Sequence, residues 1–486
     1  VYLVLRAGER GWSTAFEIAT RDATLRLVRR SIELGLIVTA GCVVLGVGLA
    51  WLVSSTDLPG RRVWQVALAV PLAIPSYVAA WGWIGWFPGL AGRWGAAIVL
   101  ITISYPYVYL PTLAALRRCD PALHDVARTL GRGRFATFVH VTLPQVRLAV
   151  LGGALLVGLY VLSDFGAVAT MRYQVLTHAI YRSYRASFDR TTAAVLGCLL
   201  AVLAVAVATV AMRVERHAGA LASRRGPLRP QAAAPLGWWR WPTLVVPVAV
   251  LLVAIGVPAR GLRQWAVRGD WTPDWSELAP AALNTLEVAA LGALVVVALG
   301  LPLAFLTIRH PTRVAGAASA AAYAGHALPG VVVGLAVVFF GIRAVPSLYQ
   351  RIPMLVLAYL VLFLSLALGV LGSAVAQVPR SLEEVSRTLG RGPVATWWAV
   401  TWRLVAPGAG VAATLVFLTV MKELPATLFL RPTEFDTLAT RLWDHTSSLA
   451  QSKAVPYAIA IVVLAALPAA LLGLVGDRSV RQATRG

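Results

Sequence analysis

Two carboxylates, Asp164 and Glu423, stand 259 positions apart, each inside a stretch of otherwise apolar residues. A carboxylate in such surroundings is costly, so it either neutralises a cation or faces a transport path. Lys422 adjoins Glu423, so a structural ion pair and a path-lining role both stand for this pair. Three cysteines (Cys42, Cys119, Cys198) and seven histidines lack any CxxC or HxxxH spacing, and no resident metal or other cofactor is expected. No G-x-x-x-x-G-K-[ST] string occurs, so the chain has no phosphate-cradling loop of its own and any ATP and Mg²⁺ must be held by another subunit. A membrane-embedded enzyme would need a clustered acid–base set, and Ser163 with Asp164 has no nearby histidine in sequence.

The elements that must position these groups are membrane helices. Of 486 residues 58% are hydrophobic and 13% charged, against roughly 25% charged in soluble domains. Stretches such as 31–53 and 355–376 are long enough to cross a hydrocarbon core of about 30 Å. The net charge of +22 lies mainly in loops between apolar runs, where anionic lipid headgroups are the expected partner and nucleic acid is not. The chain opens on Val1 without a recognisable signal peptide.

The chain repeats itself. "RSIELGLIVTAGCVVLGVGLAWL" from Arg30 aligns with "NTLEVAALGALVVVALGLPLAFL" from Asn284, and Pro75 falls on Pro329 at the same offset of 254. Spans are expected at about 32–53, 63–87, 94–116, 147–169 and 192–212, then 242–258, 284–307, 316–342, 353–376, 407–429 and 455–475. The fold class is thus an all-α polytopic membrane protein of two tandem homologous modules with about 11 transmembrane helices. The span at 242–258 has no counterpart after Val1, which predicts a twelfth helix before it. The expected domains are a first module at 1–212, a cytoplasmic linker at 213–241, rich in Arg, Ala, Pro and Gly, and a second module at 242–486. Pro75 and Pro329 should break or kink their spans and so are candidates to line a path. Glu33 and Glu287 are read as helix-start carboxylates favoured by the dipole. The segments from Leu176 and from Leu438 have the spacing of short amphipathic helices at the outer surface, serving as gate, docking site or interfacial anchor.

The polar heptads "ARTLGRG" (127–133) and "SRTLGRG" (386–392) are better retained between the copies than the helices around them, so something outside the chain is expected to read both. Each sits in a pattern of short helix, glycine turn at Gly131 or Gly390, and a second amphipathic run at the membrane surface. "DVARTLGRGRFATFVHVTLP" resembles the cytoplasmic coupling segment of ABC-importer permeases, with pattern E-A-A, three residues, G, about nine residues, then L-P. Asp125, Val126 and Ala127 take the E-A-A positions, with Gly131, Leu143 and Pro144 following. The second copy supplies Glu384, Val385, Ser386 and Gly390, but Trp402 and Arg403 stand at the L-P positions, so its exit from the segment is expected to differ. The resemblance covers nearly the whole chain and is strongest to the fused double permeases of the ferric-iron type, a family with relatives for thiamine, phosphonates and polyamines. It implies a non-enzymatic permease in a bacterial inner membrane, two copies of a cytoplasmic ABC ATPase on the coupling segments, and an extracytoplasmic solute-binding protein. Lys/Arg counts on the two sets of loops are nearly balanced, so orientation rests on the coupling segments. A proton- or sodium-driven secondary transporter is the alternative from the residues alone.

Overall fold

In lipid every backbone N–H and C=O must be satisfied within its own segment, which a helix achieves, and the elements among the described residues are all helical. The computed structural model describes residues 2–117, 119, 123, 126, 127, 129–131, 133–185, 189–222, 235–269, 271–448 and 450–483. Among these, eight helices are long and apolar enough to cross a membrane: Asp22–Ser55, Arg93–Leu116, Phe138–Ser163, Arg190–Val214, Gly237–Val267, Trp275–Arg309, Ile352–Ala376 and Pro393–Met421. Two bent pairs make ten: Arg61–Ala73 with Ser76–Trp86, bent by 91°, and Arg313–His326 with Gly330–Ala344, bent by 114°. The eleventh expected span corresponds to Gln451–Ala483, whose apolar described part is shorter.

The bends have one cause in both copies. Pro75 and Pro329 adopt extended angles (ψ 141° and 144°) and stand just before a new helix. Proline cannot donate to the preceding turn and pushes the residue before it out of the helical region. The span therefore breaks, rather than kinking gently, and restarts.

Packing divides the chain into a first unit, Ala7–Arg268, and a second unit, Val1–Arg6 with Gly269–Gly486. Each is built around its copy of the long shared helix: Asp22–Ser55 packs against Pro106–Leu116 and Leu143–Ser163, and Trp275–Arg309 against Ile352–Ala376 and Trp402–Met421. Packing and repeat divide the chain differently at two places, the first being Val1–Arg6, which the repeat puts in the first module. The helix expected to open the second module lies in the first unit, where Val257–Val267 crosses Ser76–Trp86. Glycines permit this crossing. A Cβ on Gly82 would lie 2.6 Å from the Pro258 carbonyl oxygen, and one on Gly261 would collide with the Gly82 carbonyl. Small residues at such a crossing replace a hydrophobic driving force that lipid does not supply. Trp265 stacks on Trp81 at 6.1 Å and donates to its carbonyl oxygen at 3.2 Å. Residues 223–234 of the expected linker lie outside the described residues.

Candidate functional site

The described residues of the two heptad segments follow the same course. In the second unit Pro379 opens the helix Arg380–Thr388, and Gly390, at φ 80°, ends it with its N–H donating to the Arg387 carbonyl at 3.0 Å. Gly131 adopts φ 76° at the same point of the first copy. A Cβ at either glycine would meet nothing within 4 Å, so the left-handed backbone, not lack of space, calls for glycine. A four-residue helix follows (Arg134–Thr137; Pro393–Thr396), then a π-turn (Phe138–Thr142; Trp397–Thr401), then the helix starting at Leu143 or Trp402.

Two expectations are corrected by this geometry. The second amphipathic run does not lie separately at the surface, because its helix continues into the spans Phe138–Ser163 and Pro393–Met421. The exits from the two segments also match. A π-turn precedes Leu143–Pro144 and Trp402–Arg403 alike, and both lead into a continuous span, so Arg403 takes the place of Pro144 without changing the path.

Within each heptad helix, small residues face inward and large apolar ones face out. Ala127 and Ser386 are buried, as are Thr137, Thr142, Thr396 and Thr401, and the Ser386 and Thr396 hydroxyls share a hydrogen bond of 3.2 Å. Outward stand Leu382, Val385 and Leu389, the last 75% exposed, and at offset 259 Leu123, Val126 and Leu130, the last 74% exposed. Their i, i+3, i+7 spacing makes one continuous ridge per copy. Glu384 is exposed beside it, and Asp125 lies outside the described residues. The ridge was legible in the sequence, as three apolar residues kept at matched positions of a polar segment, yet the E-A-A pattern does not single out the two leucines at its ends.

An aromatic pair ties each segment to the long shared helix: Trp51 meets Phe138 edge-on at 5.5 Å, and Phe305 meets Trp397 edge-on at 5.0 Å. The copies have exchanged the two residue types across the contact, conserving its volume. The second unit adds an ion pair that sequence reasoning missed. Arg309, at the end of Trp275–Arg309, donates to the Val378 carbonyl at 2.6 Å and lies 3.3 Å from Glu383, with side chains 8% and 11% exposed. Thr401 donates to the same carboxylate at 3.0 Å. The matched positions of the first copy are Ser55 and His124, the latter outside the described residues. Removing one partner strands a buried charge, at a cost of about 3–5 kcal/mol, whereas replacing both by apolar residues is often neutral. Arg309→Met should therefore lower the melting temperature of the detergent-solubilised protein markedly, and Arg309→Met with Glu383→Leu should restore most of it; equal melting of wild type and single variant would contradict the pairing.

Asp164, buried, and Glu423, half-buried, occupy equivalent places after the spans that leave the heptad segments. Asp164 accepts from the N–H groups of Ala167 (2.9 Å) and Val168 (3.3 Å) and from the Ser76 hydroxyl. It thereby hydrogen-bonds the first turn of Gly166–Thr170. Glu423 accepts from Ala426 N–H (2.8 Å), Thr427 N–H (3.0 Å) and the Thr427 hydroxyl (2.8 Å), at the start of Pro425–Leu430. The residue after the span-breaking proline differs in concert: Ser76 follows Pro75 where the carboxylate is the shorter Asp, and Gly330 follows Pro329 where it is Glu. A Cβ on Gly330 would sit 2.8 Å from Glu423 Oε1. The longer side chain thus fills the place of the missing one, and in both units the carboxylate braces the restart of the broken span. Glu33, by contrast, lies well inside Asp22–Ser55 and pairs with Arg29 (3.3 Å) and Arg93 (3.6 Å). Glu287 is similarly far from its helix start, so the dipole argument applies to neither.

The expected amphipathic helices are Leu176–Arg185 and Leu438–Ser447, with Leu176, Ile180, Leu438 and Leu442 buried. Each is fastened to the long helix by a matched hydroxyl: Ser31 accepts from Leu176 N–H at 3.0 Å, and Thr285 from Leu438 N–H at 2.9 Å. Among the described residues no group of three or more His, Cys, Asp or Glu is arranged to hold a metal ion.

Residues 42–219 and 296–483 each match the family model described as binding-protein-dependent transport system inner membrane component. The chain is 32% identical over 476 residues to the Fe(3+)-transport system permease protein FbpB 2 of Haemophilus influenzae, covering 97% of this chain and 94% of that protein. It is 28% identical over 198 residues to the sulfate transport system permease protein CysW of Synechocystis, covering 36% of this chain and 72% of the relative. With the sulfate transport system permease protein CysT of Escherichia coli it shares 25% identity over 181 residues, 34% and 65% of the two chains.

Proposed function

The chain belongs to the family of binding-protein-dependent transport system inner membrane components, and from that premise we propose that it carries ferric iron across the membrane, driven by a cytoplasmic ATPase seated on the Leu123–Val126–Leu130 and Leu382–Val385–Leu389 ridges. It is the multi-pass permease subunit of an ABC importer and not its catalytic component. The observation that supports the seating is the doubled ridge: exposed apolar side chains, at identical spacing, on helices whose opposite faces are buried and braced. Two ridges suit two copies of the ATPase, which hold the ATP and Mg²⁺. Val126, Ala127, Gly131, Leu143 and Pro144 with Asp125, and Glu384, Val385, Ser386 and Gly390, are the segments read by that partner. Ferric iron rests on the named activity of the Haemophilus relative, which aligns along nearly the whole chain.

Displacement of a ridge has a stiff route inward. The span Phe138–Ser163 holds 26 residues and is about 39 Å long at 1.5 Å per residue. At its far end Asp164 bonds Ser76, the first residue of the restarted span, so tilting the lever moves the segment behind Pro75. Glu423 relays motion to Gly330 and the segment behind Pro329 in the second unit. Asp164, Glu423, Pro75 and Pro329 act in this reading as the gearing of the path, with the carboxylates engaged by backbone N–H groups. Rocking of packed elements around a break is a recognised form of alternating access.

The test is uptake into proteoliposomes holding the permease and its ATPase, with the extracytoplasmic binding protein supplied outside and ATP within. Ferric iron should enter only when binding protein and ATP are both present. ATP-driven uptake of another solute with none of ferric iron would overturn the cargo, and iron uptake indifferent to ATP would overturn the drive.

A further inference from the structure

At the end of the first unit opposite its heptad segment, a cavity of about 140 Å³ opens between the start of Asp22–Ser55 and the amphipathic helix Leu176–Arg185. Its charged and polar lining is Arg26, Arg30, Gln174, His178 and Arg182. Three arginines line one small space, and among the described residues none of the three has a carboxylate within ion-pair distance. Arg29, on the same helix, is different: it is paired with Glu33.

The second unit shows what the same fold does when its charges are balanced internally. The turn entering each amphipathic helix holds a non-glycine residue at positive φ, Arg172 (54°) in one and Glu434 (64°) in the other. That shared turn fixes the correspondence at an offset of 262, so Gln174 matches Asp436, His178 matches Thr440 and Arg182 matches Asp444. Along the long helix, Arg26 and Arg30 match Pro280 and Asn284. Three cationic positions in the first unit are therefore neutral or acidic in the second, where Arg431 bridges Asp436 and, at 3.0 Å, Asp444. By the offset of 259 that relates Gly166–Thr170 to Pro425–Leu430, the residue matching Arg431 is Arg172, and the first unit has no carboxylates at the positions of Asp436 and Asp444 for it to bridge. One unit closes its charge network with its own side chains, and the other leaves a cationic cavity open.

We propose that the cavity lined by Arg26, Arg30, Gln174, His178 and Arg182 is a binding site for a tetrahedral oxyanion of the phosphate class. A phosphate group fits within such a volume and offers acceptors to forked guanidinium donors. Gln174 supplies an uncharged amide donor. Burial, and then the charge of Arg182, hold the His178 imidazole below its usual pKa, so near neutral pH it offers an N–H without adding to the charge. The same chemistry is presented by the phosphodiester of an anionic lipid headgroup and by free inorganic phosphate, and the cavity's place beside a surface helix makes both accessible.

The experiment uses the full chain purified in detergent. In one arm, delipidated protein is titrated with inorganic phosphate against chloride at equal ionic strength, reading binding by calorimetry and melting temperature. In the other, native mass spectrometry follows retention of phosphatidylglycerol from mixed micelles, with phosphatidylcholine and a neutral diacylglycerol as controls. Saturable binding in either arm, weakened at least tenfold in Arg30→Gln with Arg182→Gln but unchanged in Arg29→Gln, is the expected result. Binding of phosphatidylglycerol alone identifies a lipid headgroup as the occupant, and binding of inorganic phosphate identifies a free-ion site. Should the double variant fail to fold, Arg26→Gln with Gln174→Glu repeats the test from the cavity's other members. No selective binding of either probe by the wild type, or equal loss in Arg29→Gln, overturns the site.

Discussion

Leu130→Asp combined with Leu389→Asp is expected to abolish association with the ATPase and, with it, all ATP-driven transport, while leaving the fold intact. Both leucines are about three-quarters exposed, so their replacement removes little internal packing. Burying a leucine in a partner's groove contributes roughly 2 kcal/mol, and placing a carboxylate in that groove adds a desolvation cost of similar or greater size. A loss of about 4 kcal/mol per socket corresponds to nearly a thousandfold weaker binding. Copurification of the tagged permease with its ATPase reads the effect directly, and the melting temperature of the permease alone should move little. The single variants should each retain partial association, because either ridge still seats one ATPase copy. Full association of the double variant would remove the ridges from the interface and leave the E-A-A positions to be tested by themselves.

The second large effect is expected at the bracing carboxylates. Gly330→Ser places a side chain within 2.8 Å of Glu423 Oε1 and should displace that carboxylate from the Ala426 and Thr427 N–H groups. A buried donor left without an acceptor costs about 1–3 kcal/mol, and two donors are at stake. Uptake should fall at least tenfold. Adding Glu423→Asp shortens the side chain and recreates the Ser76–Asp164 arrangement of the first unit, so Gly330→Ser with Glu423→Asp should recover most of the lost activity. ATP hydrolysis measured alongside separates the roles: a gearing defect leaves hydrolysis running without uptake, whereas a simple folding defect lowers both together. Glu423→Asp that fails to improve on Gly330→Ser would end the idea that the two positions compensate.

Much of this was written in the chain. Apolar length gave the spans, because lipid admits few alternatives to a helix, and the self-alignment gave two modules. The prolines at 75 and 329 announced broken spans, and Gly131 and Gly390 announced left-handed turns, since the backbone itself imposes those outcomes. Glu33 and Glu287 misled for the opposite reason. Where a helix begins depends on the polar residues ahead of the apolar run, and Asp22–Ser55 and Trp275–Arg309 start well before their hydrophobic stretches.

The sequence by itself determined what each segment is: helix or turn, buried stripe or polar connector, first copy or second. Local backbone preference and the lipid solvent act on neighbouring residues, so these properties can be read from neighbouring letters. Only the tertiary structure decided what each segment packs against. It placed the 237–267 helix in the first unit through the glycines at 82 and 261, joined Arg309 to Glu383 across 74 positions, and set Glu423 against the gap at Gly330. These are contacts between residues far apart in the chain, chosen by shape and charge in three dimensions. The doubled "RTLGRG" marked two like segments, but the leucines that face outward and the aromatic pairs that hold them there emerge only when the helices are packed.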